Sequence, residues 1–431
     1  MLQQQNNKIL CVYAKSQTYT NTVYEHLCSF KKYSKYSWFY CDFQKLEQVL
    51  STCNKFQVIV IHYSVRLPFG QINQAVQSIL KKLRAIKVLF IQDEYDHTNA
   101  TINIMKKIAF DLVFTAVPEA SIEKIYPKYN FPKTRFVSNY TGYVPEKIES
   151  LFLPAPPPSK RVLTVCYRGR KLPIRYGRLA QEKFIIGSRV KKFCQKNNIP
   201  CDIDWEEDAR IYGNAWYRFI LTAKAMLGTE SGSNVFDWDN TIQKNISQHM
   251  KSKPFLSEKI IYNKFVKQHE VPGLMNQISP RIFEMAAGRT VMILFEGTYS
   301  GILKPDVHYL ALKKNFKNLG QIFTRLKKEK IDLMAEAAFD HLVSSGKYSY
   351  REFVKMVDRE LDQLIRLQAL PPITNDPDLP EFMTAIHAFP KKSKWGQNWK
   401  KYFWLYLPQR LGPLAKKTFK HPFVQRLLKP V

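Results

Sequence analysis

The residues best spaced for chemistry lie in Ser279-Pro280-Arg281-Ile282-Phe283-Glu284-Met285-Ala286-Ala287-Gly288. Serine is a favoured helix N-cap, proline suits the first helical position, and glycine stops the run. A helix starting here presents unpaired N–H groups and a positive dipole end to an anion, and carries Glu284 one turn in. Thr290-Val291-Met292-Ile293-Leu294-Phe295 then lacks a polar face, as a parallel strand covered on both sides requires. Glu296 to Gly301, including Ser300, follow at its carboxyl end, where open α/β sheets bind ligands. Loop, helix, buried strand and glycine-bearing loop, in that order, point to a nucleotide site.

Other candidates stand where further strands should end. Arg168-Gly169-Arg170 follows the apolar run Arg161 to Tyr167; guanidinium forks match phosphate oxygens, and glycine admits close approach. Arg178 and Lys183 follow nearby, so phosphate contact is expected from at least one of Arg168, Arg170, Arg178 and Lys183, against the alternative of a solvated basic turn. Glu230 closes an apolar strand before Ser231-Gly232-Ser233, and a charge-stabilising role there competes with a turn carboxylate. His62 and the pair Asp93-Glu94 end two more strands and are acid-base or sugar-contacting candidates, set against a structural histidine and a helix cap.

The elements that must position these residues alternate. Lys8–Tyr13, Phe56–Ile61, Lys87–Ile91 and Asp111–Thr115 read as strands, with a helix over Ile72–Leu83, which implies a doubly wound domain. Prolines make 153–160 a stiff linker. Arg161–Tyr167 restarts the pattern, with a helix over Glu182–Cys194 and strands at Cys201–Asp204 and Ala223–Gly228. The expected organisation is an N-terminal α/β domain over 1–152 and a second α/β domain over 161–345 with a helical insertion at about 237–273. A candidate crossover helix at 346–370 and a basic aromatic tail over 371–431 complete it.

Glu284 in its small-residue helix, the following strand and Ser300-Gly301 resemble the donor half of GT-B glycosyltransferases with a group-1-type C-terminal domain. The resemblance implies two Rossmann-like doubly wound domains facing a cleft, with a nucleotide-sugar donor on the second and a glycan or lipid-linked acceptor on the first. It also implies that Glu284 accepts the donor ribose hydroxyls, that the loop amides meet the diphosphate, and that transfer is retaining, with the stereochemical outcome left open by the missing second glutamate; arginines, lysine and helix-end amides can stabilise the leaving diphosphate without a metal. The nucleotide-sugar is then a substrate, and no cofactor is expected. Many retaining members carry a second glutamate eight residues earlier, where this chain has Asn276, so the paired-acid motif is incomplete. Arg289 also stands where relatives have a small residue.

Composition sets the outer limits. A chain of 431 residues favours two cores, and 45% hydrophobic residues can fill them. A net charge of +30 draws phosphates, nucleotides, nucleic acid or anionic lipid without choosing among them. Seven cysteines without CxxC spacing read as reduced thiols, not a zinc site. The first strand is followed by Ala14-Lys15-Ser16-Gln17, which lacks the glycines of a dinucleotide fingerprint, and Gly301-Ile302-Leu303-Lys304 lacks P-loop spacing. No signal-like start or membrane-length apolar run occurs, so a cytoplasmic protein is expected. Lysines interleaved with Trp395, Trp399 and Trp404 suggest peripheral attachment to an anionic membrane surface. The alternatives are a noncatalytic nucleic-acid or polyanion binder and a nucleotide-sugar epimerase on the same fold.

Overall fold

A computed structural model describes residues 7–52, 56–146, 148–152, 155–253, 255–328, 330–368 and 386. The tail over 371–431, apart from Ile386, lies outside the described residues, and so do Leu153 and Pro154 of the linker.

Six parallel strands build the first sheet: β1 Lys8–Tyr13, β2 Ser37–Asp42, β3 Val58–Ile61, β4 Ile86–Ile91, β5 Leu112–Thr115 and β6 Arg135–Ser138, in the order β2-β1-β3-β4-β5-β6. Helices α1 Asn21–Tyr33, α2 Leu46–Thr52, α3 Gln74–Lys82, α4 Thr98–Ile108 and α5 Ile122–Ile125 connect them. Every residue of β1 is buried because successive side chains enter opposite cores. Leu10 and Val12 pack on one face; Ile9, Cys11 and Tyr13 pack on the other.

The second sheet holds β7 Leu163–Arg168, β8 Cys201–Asp204, β9 Ala223–Gly228, β10 Val291–Phe295 and β11 Leu310–Leu312, all parallel, in the order β11-β10-β9-β7-β8. Its helices are α6 Gly177–Lys196, α7 Asn214–Ile220, α8 Thr241–Ser252, α9 Glu258–Ile261, α10 Pro280–Ala287, α11 Leu319–Lys328 and α12 Ile331–Phe339. The doubly wound reading holds for both sheets. Edge strands β2, β6 and β11 were not anticipated; β6 is exposed to half-buried along its length and β11 is only three residues long, so neither shows the extended apolar run that marks a central strand. Helix α6 starts at Gly177, several residues before its expected start, so Arg178 is helical.

Helix α13, Tyr350–Gln368, leaves the second unit and packs on the first. Tyr350, Phe353, Val354, Val357 and Leu361 form one helical stripe in the same core as Phe30, Trp38 and Phe90. Burial of each such side chain is worth about 1.5–3 kcal/mol. Asp358 adds polar anchors, accepting from Ser34 Oγ at 2.7 Å and the Lys35 N–H at 3.0 Å.

The two units also touch at the mouth of α10. A Cβ on Gly142 would lie 2.9 Å from Pro280, so only glycine admits this approach, and Thr141 Oγ1 donates to the Ile278 carbonyl at 2.6 Å. The segment between β9 and α10 has its own small core of Val235, Ile242, Ile246, Ile261, Tyr262 and Val266. Among the described residues no helix is long and apolar enough to cross a membrane.

Candidate functional site

Strand order reverses between β1 and β3 in the first sheet and between β7 and β9 in the second. Loops at such switch points diverge to opposite sides of a sheet and leave a crevice at its carboxyl edge. A cleft of about 500 Å³ lies there between the two units. The first unit contributes Tyr19 to Thr22 at the start of α1, with Asp93 and Tyr95 after β4. The second contributes the β7–α6 connection, Arg210 to Trp216, the end of β9 and the first turn of α10.

Cations gather on the side of the second unit. Arg170, Lys183 and Arg281 all line the cleft, and Arg281 projects from the first turn of α10, adding to the helix's positive end. The Arg281 guanidinium lies 5.1 Å from the Tyr167 ring centre and 5.2 Å from that of Trp216. Burial, with Arg281 and Arg170 nearby, pulls the Lys183 pKa down to about 8, and Asp93 opposes this. A group of cations raising one another's cost is stabilised by a polyanion.

Glu284 lines the same cleft one turn into α10 and accepts from Trp216 Nε1 at 2.7 Å. Burial raises its pKa, while the Trp216 hydrogen bond and Arg281 work in the opposite direction. Across the interface Glu25 of α1 is pushed up to about 8, by burial first and Glu284 second; Tyr217 donates to it at 3.4 Å.

Gly169 serves a different approach from the one anticipated. A Cβ there would meet the Lys183 carbonyl at 2.8 Å and the Tyr167 ring at 2.7 Å. Its bareness lets α6 come down on β7, where Tyr167 donates to the Lys183 carbonyl at 2.9 Å. That contact sets the position of Lys183.

Two parallel doubly wound units meet at their carboxyl edges across a cleft, and the last helix among the described residues, α13, returns from the second to the first. The fold is GT-B. No protein-family model matches the chain, and no curated protein sequence does. Among solved structures the chain is similar to Anabaena Alr3699/HepE in complex with UDP and glucose, at 10% identity and a TM-score of 0.45 over 84% of this chain and 100% of that one. A glycosyltransferase from Rickettsia africae ESF-5 is also similar, at 10% identity and a TM-score of 0.44 over 84% and 98% of the two chains. AviGT4, a glycosyltransferase involved in avilamycin A biosynthesis, aligns at 11% identity and a TM-score of 0.42 over 84% and 98%.

The GT-B frame separates the sequence-derived residues. Arg168, Arg170, Lys183, Glu284 and Asp93 line the interdomain cleft. Asn276, Ser300 and Gly301 line a second cavity of about 350 Å³, also reached by Pro118 and Tyr140 of the first unit. Arg178 lines neither: its backbone N–H donates to Glu270 Oε1 at 2.8 Å and its guanidinium lies over Tyr262.

Several expected roles need correction. Arg168 is buried and spends its donors within the protein, on Ala209, Tyr167 and Asp202, with a 2.7 Å contact to Asp202 Oδ1. Glu230 is a buried hub: it accepts from Asn276 Nδ2 at 2.6 Å, Thr298 N at 3.1 Å, Thr298 Oγ1 at 2.9 Å and Tyr299 N at 2.8 Å. Ser300 Oγ accepts from the Ile278 N–H at 3.0 Å and donates to Gln277 at 2.9 Å. Together Glu230, Asn276 and Ser300 tie the loop after β10 to the strand of chain entering α10, so they position the helix mouth.

His62 is fully buried; its Nδ1 lies 2.9 Å from Ser64 Oγ and its Nε2 3.0 Å from His26 Nδ1. Burial and His26 hold its pKa well below the ordinary histidine value, and it lies outside the cleft lining. Glu94 is likewise buried, its Oε1 accepting from Thr115 Oγ1 and from the Ala116 N–H at 3.2 Å; burial pushes its pKa up to about 7. Asp93, its neighbour, reaches the cleft but is shared with Arg66 Nη1 at 3.0 Å and the Tyr95 hydroxyl at 3.0 Å. Arg289 stacks 3.5 Å from the Phe339 ring centre and pairs with Glu336 at 2.8 Å.

Sequence reading missed Arg281 and Trp216. Arg281 sits three residues before Glu284, the spacing that places both on one helix face, and this was the available signal. Trp216 carried none, since it meets Glu284 only through the packing of α7 beside α10.

Proposed function

We propose that the chain is a glycosyltransferase using a nucleotide-sugar donor. The observation carrying this reading is the convergence of Arg170, Lys183, Arg281 and the first turn of α10 with Glu284 in one interdomain cleft. The cations and helix end suit a diphosphate, and Glu284, oriented by Trp216, is a charged acceptor for ribose hydroxyls. In the transfer the bond between the anomeric carbon and the donor's phosphate oxygen breaks, and the acceptor oxygen bonds to that carbon. The nucleoside diphosphate leaves with the additional negative charge, which Lys183 and Arg281 stabilise.

The acceptor, a glycan or lipid-linked sugar, enters from the side of Tyr19 to Thr22 and Asp93. Its proton passes to a phosphate oxygen of the leaving group, the arrangement that accompanies retention at the anomeric carbon. The cations supply charge compensation at the diphosphate without requiring a metal. A panel of UDP, GDP and ADP, each with its sugar derivatives, tests the reading by thermal shift, because a ligand of the folded state raises the melting temperature. Stabilisation by one nucleotide series, followed by acceptor-dependent release of its nucleoside diphosphate, is expected. Failure of every nucleotide to stabilise the protein overturns the reading, and product formation from donor alone assigns an epimerase instead.

A further inference from the structure

The helical segment between β9 and α10 carries a surface that the cleft chemistry leaves unused. Phe255 is 99% exposed, and Met250, Ile260 and Val271 are 41%, 48% and 45% exposed. Lys251, Lys253 and Lys259 are exposed beside them.

The charge on this surface is unbalanced. The segment 237–273 has six lysines, no arginine and four acids, and all four acids are engaged. Asp237 accepts from the Ile242 and Gln243 N–H groups at 3.1 and 3.0 Å, and Asp239 accepts from Asn99 Nδ2 at 2.5 Å. Glu258 pairs with Lys171 at 2.7 Å, and Glu270 accepts from the Arg178 N–H and the Tyr262 hydroxyl. None of the six lysines forms an ion pair among the described residues.

We propose that this insertion docks the protein on an anionic lipid surface, with Phe255 and its aliphatic neighbours entering the interface and the lysines held at the headgroups. Apolar side chains gain by leaving water there, and lysines are drawn by the surface potential. A nucleic acid fits less well: the segment offers no guanidinium fork for phosphate, and beside the single fully exposed ring of Phe255 the exposed apolar groups Met250, Ile260 and Val271 are not aromatic, so successive bases have no row of rings to stack on. The root of the insertion adjoins the cleft, because the Asp237 N–H donates to the carbonyl of cleft-lining Tyr95 at 3.1 Å. Glu258, three residues from Phe255, pairs with Lys171, which lies between cleft-lining Arg170 and Leu172, so the docked face is linked directly to the rim of the cleft.

The full-length protein is to be sedimented with phosphatidylcholine vesicles, with and without phosphatidylglycerol, as wild type, Phe255→Ser and the double variant Lys251→Glu/Lys253→Glu. Wild type should bind only the anionic vesicles, and the double variant should partition at least about tenfold less, since each lysine near such a surface is worth roughly a factor of five. Because these side chains are exposed, melting temperatures should be unchanged. Hydrogen exchange by mass spectrometry localises the contact: amides over 250–261 should slow when anionic vesicles are added. Absence of binding by the wild type, equal binding by all three proteins, or slowing only in another segment overturns the proposal. So does protection of 250–261 by an oligonucleotide but not by vesicles.

Discussion

The indole N–H of Trp216 donates to Glu284 Oε2 at 2.7 Å, so a residue of α7 fixes the orientation of the carboxylate one turn into α10. Glu284→Gln keeps the shape and removes the charge. A hydrogen bond to a charged acceptor exceeds a neutral one by about 1–1.5 kcal/mol, so nucleoside diphosphate affinity should fall about tenfold with little change in melting temperature. Trp216→Phe removes the orienting N–H and should cause a smaller loss. Calorimetric titration measures both, and unchanged affinity in Glu284→Gln removes the residue from the nucleotide site.

Lys183 sets a pH dependence of binding. With its pKa drawn down to about 8, the free protein loses this charge as pH rises through that value, whereas a bound diphosphate favours the protonated form. Affinity should therefore weaken above about pH 8, and binding there should take up a proton. Titrations in buffers of different ionisation enthalpy report that uptake directly. Lys183→Met should abolish the uptake and bind weakly at every pH.

Glu25 affects stability with the opposite charge logic. Its folded-state pKa of about 8 lies above the ordinary carboxyl value, so the folded protein holds the proton more tightly than the unfolded chain. Stability contributed by this protonated state is full below the unfolded pKa and is lost as pH rises towards and through about 8. Glu25→Gln, which cannot ionise, should flatten the fall in melting temperature between the ordinary carboxyl range and pH 8. An unaltered slope would show that another group governs it.

Glu230 should behave as a structural hub. Truncation to alanine leaves the N–H groups of Thr298 and Tyr299 and the Asn276 amide without their acceptor. Loss of such a set should cost about 3 kcal/mol or more in urea unfolding. Donor affinity should fall less in Glu230→Gln than in Lys183→Met, because glutamine retains part of the network. A variant that keeps full stability while losing turnover returns Glu230 to the reacting groups.

The local patterns of the chain determined its central strands and the helix that follows the first cleft-lining loop of the second unit, though not the edge strands β2, β6 and β11. Val291 to Phe295 is apolar on both faces because β10 has a core on each side, and Pro280 takes the first position of α10 as its fixed backbone angle requires, although Ser279 at the N-cap makes no side-chain capping bond. Glu284 and Lys183 could therefore be placed near strand ends and helix starts before any tertiary contact was known. Which charges stay available was decided only by packing. Arg168 and Arg170 look equivalent in sequence, yet Asp202 on the neighbouring strand takes Arg168, while Arg170 remains exposed in the cleft. His62 ends a strand as expected, but α1 brings His26 against its ring and closes it from the cleft. Periodicity specifies the face of an element; the partner that meets that face comes from a distant part of the chain, through loop path and close packing, and no local pattern encodes it.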